Sequence, residues 1–169
     1  MSEVFERVVA LMEEDGWPVL LVPRQLVALT RASGRSGRWD CQMYLREEAN
    51  QLDFYSVCPF VIPEDQRGAL AEFLTRANHG IPNGNFEMDF DQGVVRYKTN
   101  LGLVKLDLAV EHIHALCLPN TWLMDAYLPG IQAVAEGRLD AKAAIDLVEN
   151  PQPEADESEP VSEPPEAGA

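Results

Sequence analysis

Two neighbouring runs of alternating apolar and polar residues constrain the fold of this chain more than any other feature. They cover residues 38–47 and 51–60, and apolar side chains recur at alternate positions in both. This pattern is typical of β-strands that bury one face. If the runs form a hairpin in which Leu45 pairs with Leu52, a single apolar set faces the core. A shift of one residue would expose that set to water, so the sequence predicts this register.

The other face of the predicted hairpin is unusually apolar. It carries Tyr44, Tyr55 and Val57, at positions where a strand that faces water usually places polar residues. Aromatic side chains are enriched at the centres of protein interfaces. The patch is therefore either a contact surface for another polypeptide or the underside of a helix of the same chain. Trp122 and Tyr127, in a later predicted helix, are open to the same two interpretations.

Apolar residues at helical spacing predict helices before and after the strands. These helices cover residues 2–14, 63–80, 104–118, 119–137 and 139–150, and two further short strands are predicted at 19–22 and 26–30. Pro129 lies inside the fourth helix and is expected to kink it.

The stretch NGNFEMDFDQGVVRYKT, residues 83–99, predicts a second hairpin with its tip at a Gln-Gly pair. Two registers compete. The favoured one separates apolar from charged side chains, and it places Glu87 opposite Lys98 and Asp89 opposite Arg96.

Glu87, Asp89 and Asp91 place three carboxylates within five residues. A hard metal ion needs oxygen ligands that converge on one point, whereas alternate side chains of a strand stand about 6.6 Å apart. We therefore interpret the three acids as the solvent face of the hairpin. A metal-dependent enzyme, or a regulator that senses a small molecule through this face, is the alternative.

Motifs for catalysis, cofactors or metals are absent from the sequence. It contains no GxSxG, P-loop, GxGxxG or HExxH pattern. We predict no catalytic residue, no cofactor and no metal site, and we do not expect an enzyme.

The net charge of −15 is unevenly distributed. Residues 150–169 hold six of the acidic residues and five of the prolines but no Lys or Arg. This composition predicts a disordered acidic tail after a single domain at residues 1–149. The remaining charge of −9 argues against direct binding to nucleic acid or to an anionic membrane, and it favours a basic partner.

The three cysteines and the N-terminus indicate the compartment. The cysteines are odd in number and form no CxxC pair, and there is neither a signal-peptide pattern nor an apolar run of membrane-spanning length. These features favour a reduced, cytoplasmic protein.

Residues 55–100 read YSVCPFVIPEDQRGALAEFLTRANHGIPNGNFEMDFDQGVVRYKTN. This segment resembles the bacterial YbjN family, in which a strand leads into a helix that ends near N-x-G, followed by G-N-F-E-x-D-x-x-x-G-x-V-R-Y. The segment LMDAYLPGIQAV, residues 123–134, resembles the terminal helix of the same family.

This resemblance implies an α+β fold like that of the small dimeric chaperones of type III secretion. In that fold a twisted antiparallel sheet, here of about five strands, packs against helices. It also implies a homodimer that binds an extended segment of a client protein and acts in stress response or regulation. On charge, the client is expected to be basic or neutral rather than acidic, for example a nucleic-acid-handling protein, and the acidic tail either recruits it or competes for the same basic surface of the client. The candidate dimer or client surface comprises Tyr44, Tyr55, Val57, Trp122 and Tyr127.

Overall fold

The computed structural model describes residues 2–150, which form six strands and four α-helices. In chain order they are α1 (Glu3–Glu14), β1 (Leu20–Leu21), β2 (Val27–Ser33), β3 (Arg38–Arg46), β4 (Gln51–Val57), α2 (Arg67–Gly80), β5 (Asn85–Asp89), β6 (Val94–Gly102), α3 (Val110–Ala135) and α4 (Ala141–Glu149). A single 3-10 turn, Glu64–Gln66, leads into α2. The predicted acidic tail lies outside the described residues from position 151 onward.

All six strands form one antiparallel sheet in the order β1-β2-β3-β4-β6-β5. Leu45 pairs with Leu52, which confirms the register predicted for the β3–β4 hairpin. The sheet has one strand more than the five or so expected, because the two residues of β1 pair with β2.

One face of the sheet packs against the helices and forms the core. This face carries the apolar set of the two alternating runs, and the helices contribute large side chains to the same cluster. The strand residues of the cluster include Cys41, Met43, Phe54 and Tyr97, and its helix residues include Phe5, Leu70, Phe73, Ile113 and Ile131. Asn120 of α3 is also fully buried there, and its side-chain amide donates to the backbone oxygens of Phe54 (3.0 Å) and Tyr97 (3.1 Å). These two hydrogen bonds therefore hold α3 against the centre of the sheet.

The register predicted for the β5–β6 hairpin is wrong by two residues. Glu87 lies opposite Arg96 and Asp89 lies opposite Val94, although each side chain keeps the face that was predicted for it. The cause is a tight loop at 90–93, in which the Asp89 carboxylate accepts the backbone N–H groups of Asp91 and Gln92, both at 2.9 Å. Capping of the loop by Asp89 thus sets the register.

The long helix α3 was predicted as two helices and is continuous. It begins at Val110 rather than at 104, and it runs through Pro119 and Pro129. Because Pro129 has no N–H, the carbonyl oxygen of Asp125 lacks its usual helical donor. The hydroxyl of Ser36 supplies a replacement at 2.7 Å.

Candidate binding surfaces

The three hairpin residues predicted for an interface lie together on the sheet face that points away from the helices. We call this the open sheet face; it carries outward residues of β2, β3, β4 and β6 such as Leu29, Gln42, Tyr44, Tyr55 and Lys98. The rings of Tyr44 and Tyr55 pack edge to face with centroids 5.5 Å apart. Val57 lies on the same face and pairs with Arg96.

Cationic side chains of the same chain cover much of this aromatic pair. The guanidinium of Arg96 lies 4.5 Å from the centre of the Tyr55 ring, and that of Arg46 lies 4.9 Å from the Tyr44 ring. Such cation–π contacts stabilise both partners and leave the charged end in water. As a result Tyr55 is only 3% exposed, whereas Tyr44 and Val57 are half-buried.

A buried carboxylate organises these cations. Asp53 is 2% exposed and accepts hydrogen bonds from Gln51 and from Arg46 Nε, the latter at 3.0 Å, while Lys98 Nζ lies 3.6 Å away. Burial alone would raise the pKa of Asp53, but the hydrogen bonds from Gln51 and Arg46 and the charge of Lys98 outweigh it and hold that pKa below its ordinary value. Asp53 therefore remains charged at neutral pH and fixes the surrounding cations.

Trp122 lies on a different surface, in a groove of about 860 Å³. The groove runs between α3, the segment after α1 and the β2–β3 hairpin, and it is lined by all three tryptophans of the chain, Trp17, Trp39 and Trp122. We call it the tryptophan groove. Trp122 is 69% exposed and Leu118, one helical turn before it, is 45% exposed. Large apolar side chains this exposed mark a contact surface when they line a groove.

The unpaired edge of β2 forms one wall of this groove. Because Val27 O accepts from Val22 N at 3.1 Å, the odd-numbered residues of β2 point their backbone N–H and C=O groups toward the β1 side. The β1 ladder stops at the pair Leu20–Leu29. Within residues 2–150, Arg31 and Ser33 therefore face no strand on that side, and both line the groove.

The two carboxylates in the groove are satisfied internally. Asp15 contacts His114 Nδ1 and accepts from Trp17 Nε1, both at 3.0 Å. Asp125 accepts the backbone N–H groups of Arg35 (3.0 Å) and Ser36 (2.7 Å) and so holds the tip of the β2–β3 hairpin against α3. Arg31 is the only Lys or Arg among the described residues that line the groove, and it pairs with Asp40 at 2.9 Å.

Sequence reasoning missed this groove because its parts are far apart in the chain. The contacts between Asp125 and the hairpin tip span about 90 residues. The only local signal is Gly34, where a side chain would collide with the Asp125 carboxylate. A glycine-rich turn is evident from the sequence, but its partner helix is not.

Tyr127 lies in the helix–sheet core of the single chain. It is 8% exposed, packs against Phe73 and Phe86, and donates to Glu149 Oε1 at 2.9 Å. The structure therefore does not bring Tyr127 together with Trp122 or with the open sheet face.

The three hairpin carboxylates have separate structural partners. Glu87 pairs with Arg96 Nε at 2.9 Å, Asp89 caps the loop, and Asp91 is an exposed loop residue. In the described part of the chain, no three His, Cys, Asp or Glu side chains are grouped so that they could hold a metal ion. Burial also raises the pKa of the Cys41 thiol to about 12 and that of Cys58 to about 11, which disfavours the nucleophilic thiolate.

Three solved structures resemble this fold. The crystal structure of YbjN from E. coli has 11% sequence identity and a TM-score of 0.58, with 79% of this chain and 92% of that chain covered. The ExsC–ExsE complex has 16% identity and a TM-score of 0.50, with 73% and 92% covered. The HopA1–SchA chaperone–effector complex has 11% identity and a TM-score of 0.44, with 79% and 94% covered. No curated protein sequence matches at a significant level.

The fold defines an α+β protein of the type III secretion chaperone-like class, with a twisted antiparallel sheet packed against helices, as predicted. A family model described as "YbjN: Putative bacterial sensory transduction regulator" matches residues 5–117, well over half of the chain. The protein belongs to the YbjN family, which confirms the resemblance found in the sequence. Among residues 2–150, no helix has the length and apolar character needed to cross a membrane.

Proposed function

We propose that this protein is a non-enzymatic binding module that holds an extended segment of a client protein in the tryptophan groove. The observation that carries the proposal is the position of all three tryptophans beside the unpaired edge of β2. An extended segment can pair its backbone with such an edge, while pockets beside the edge select its side chains.

The two walls of the groove would share the recognition. Arg31 and Ser33 offer backbone donors and acceptors, and Trp122 and Leu118 offer exposed apolar surface on the facing helix. The client segment would therefore be extended and carry at least one large apolar side chain. The overall charge of −9 outside the last residues favours a basic client at long range, for example a nucleic-acid-handling protein.

A photo-cross-linking amino acid at position 122, with a matched variant at Thr75, tests this assignment in the native cell. Thr75 is exposed on α2, away from the groove. We expect position 122, but not position 75, to cross-link to a small set of proteins, with the adducts mapped by mass spectrometry to extended segments. Identical adducts at both positions, or none above background at 122, would overturn the proposal. The proteins that are captured also decide between a role in regulation and a role in stress response.

We further propose that the open sheet face forms a homodimer interface. Tyr44 and Val57 supply half-buried apolar surface there, and charged side chains of both signs border them. Light scattering should give about twice the chain mass of 18.8 kDa, and the Tyr44→Glu/Val57→Glu variant should give the single-chain mass. A monomeric wild type, or a folded variant that stays dimeric, would contradict this assignment.

A further inference from the structure

We propose that the client segment carries two basic side chains, one held at each end of the tryptophan groove. This inference deepens the proposed function and rests on it, because only a segment that enters the groove can place its side chains there. One basic side chain would lie on Trp122 beside Asp125, and the other would lie beside Asp15. The groove would thus select a segment with Lys or Arg at two positions and apolar residues between them.

The two carboxylates of the groove have no Lys or Arg partner. Asp15 and Asp125 are the acidic residues that line it. The guanidinium of Arg31 pairs instead with Asp40, which lies outside the groove. Among residues 2–150, only the imidazole of His114 lies within ion-pair distance of either carboxylate. The groove therefore presents more negative than positive charge to a docked chain, which favours a basic segment over an acidic one.

Both carboxylates are fixed by hydrogen bonds and can still accept further donors. Each oxygen of Asp125 accepts one backbone N–H of the β2–β3 turn, at 3.0 and 2.7 Å. Each oxygen of Asp15 has one partner, which is Trp17 Nε1 or His114 Nδ1, both at 3.0 Å. Because an ionised carboxylate offers about four acceptor sites, each group keeps sites for a guanidinium or an ammonium group. A carboxylate that is already fixed loses little entropy when it binds such a group.

An indole ring lies beside each of these carboxylates. Trp122 precedes Asp125 by three residues on α3, a spacing that makes two side chains neighbours on a helix surface. At the other end Trp17 donates directly to Asp15. Trp is the aromatic side chain that attracts a cation most strongly, and the aliphatic stem of Lys or Arg packs well on such a ring. Each end of the groove therefore combines a ring and a carboxylate that together suit one basic side chain.

The distance between the two ends predicts the spacing of the basic residues. Asp15 contacts His114, which lies three helical turns before Asp125 on α3, or about 16 Å along the helix. The unpaired edge of β2 follows the same path, since Gly34 at one end lies against Asp125 and the other end begins where the β1 ladder stops. A chain paired with this edge rises about 3.3 Å per residue. We therefore expect the two basic residues to be about four to six positions apart.

A peptide library tests the composition of the bound segment. The probe is a display library of random peptides of about twelve residues, selected on the full chain and counter-selected on the Trp122→Ser variant. We expect most peptides that bind only the wild type to carry two Lys or Arg residues about four to six positions apart, with Asp and Glu depleted. Peptides that depend on Trp122 but lack this pair would overturn this inference and leave the proposed function intact. A library without any peptide that depends on Trp122 would overturn both.

Substitutions in a selected peptide and in the protein separate local contacts from net charge. Replacing either basic residue of the peptide by an uncharged analogue, citrulline for Arg or norleucine for Lys, should raise the Kd at least fivefold by fluorescence anisotropy. Asp15→Asn should raise the Kd of the parent peptide at least threefold, and one of the two peptide replacements should then lose most of its effect.

Asp65→Asn is the matched control for Asp15→Asn. It removes the same charge from an exposed residue outside the groove, so it should change the Kd less than twofold. Equal effects of the two protein variants would mean that net charge alone attracts the segment and would overturn the inference. Full effects of both peptide replacements in the Asp15→Asn variant would also overturn it, because Asp15 would then hold neither basic side chain.

Discussion

A single buried carboxylate controls the electrostatics of the open sheet face. The Asp53 carboxylate forms ion pairs with Arg46 and Lys98. Arg46 lies over the ring of Tyr44, and Lys98 lies over the ring of Tyr55. Because its folded-state pKa is held below the ordinary value, the charged form of Asp53 stabilises the folded state. This contribution is fully present above the unfolded pKa of about 3.9, and it is lost as the pH falls through the lower folded pKa.

Replacing Asp53 by Asn should therefore have a pH-dependent effect. At pH 7 we expect Asp53→Asn to lower the free energy of unfolding by about 1–3 kcal/mol, because hydrogen bonds to a buried charge are lost. Below pH 4 the difference from wild type should shrink, since the wild-type carboxylate becomes protonated as well. Urea unfolding at a series of pH values measures both quantities.

Asp40→Asn is the matched control for this experiment. Its pair with Arg31 is exposed, with side chains 67% and 82% accessible, so its loss should change the free energy of unfolding by about 1 kcal/mol or less. A pH-independent effect at Asp53, or an equal effect at Asp40, would contradict the role given to Asp53.

At the level of elements, α3 is held together by contacts that come from outside the helix. Ser36 supplies the donor that Pro129 removes, and Asp125 holds the hairpin tip in place. The same two contacts close one end of the tryptophan groove. The continuity of the helix and the shape of the groove thus have one cause.

A double-mutant cycle on Ser36 and Pro129 tests this coupling. Ser36→Ala should cost about 1 kcal/mol of unfolding free energy, because the Asp125 carbonyl loses its hydrogen bond. In the Pro129→Ala background the new N–H can satisfy the same carbonyl, so the cost of Ser36→Ala should be smaller. Equal costs in the two backgrounds, measured by urea unfolding, would show that the two positions act independently.

These elements also show which features of the fold could be predicted from the sequence. The β3–β4 register was predictable because side chains alternate strictly along a strand and only one pairing buries the apolar set. The N-terminus of α4 was predictable from the local cap of Asp140, which accepts from Ala143 N at 2.8 Å. Local rules were sufficient where the deciding contact was local.

Prediction failed where a distant or competing contact decides the structure. The β5–β6 register differs from the predicted one because the Asp89 carboxylate accepts the backbone N–H groups of its own loop instead of pairing with a cation. The continuity of α3 depends on a serine 93 positions before Pro129. Patterning also left Trp122 and Tyr127 open between core and interface, and the packing of α3 leaves the first side chain 69% exposed and the second 8% exposed.

For the whole molecule, the acidic charge and the groove have complementary consequences. The charge of −9 outside residues 150–169 would attract a basic client from a distance, an effect that salt weakens. The groove would then provide close contact through apolar side chains and backbone pairing.

Amide hydrogen exchange tests most directly whether a client segment pairs with β2. A synthetic peptide of the segment cross-linked at position 122 is added to the protein, and exchange is followed residue by residue. The N–H groups of Thr30 and Ala32 already point toward β3, whereas those of Arg31 and Ser33 point to the unpaired edge. We predict that the peptide slows exchange at Arg31 and Ser33 at least tenfold and changes Thr30 and Ala32 little. Protection confined to the open sheet face, or none at Arg31 and Ser33 with the peptide bound, would contradict the account.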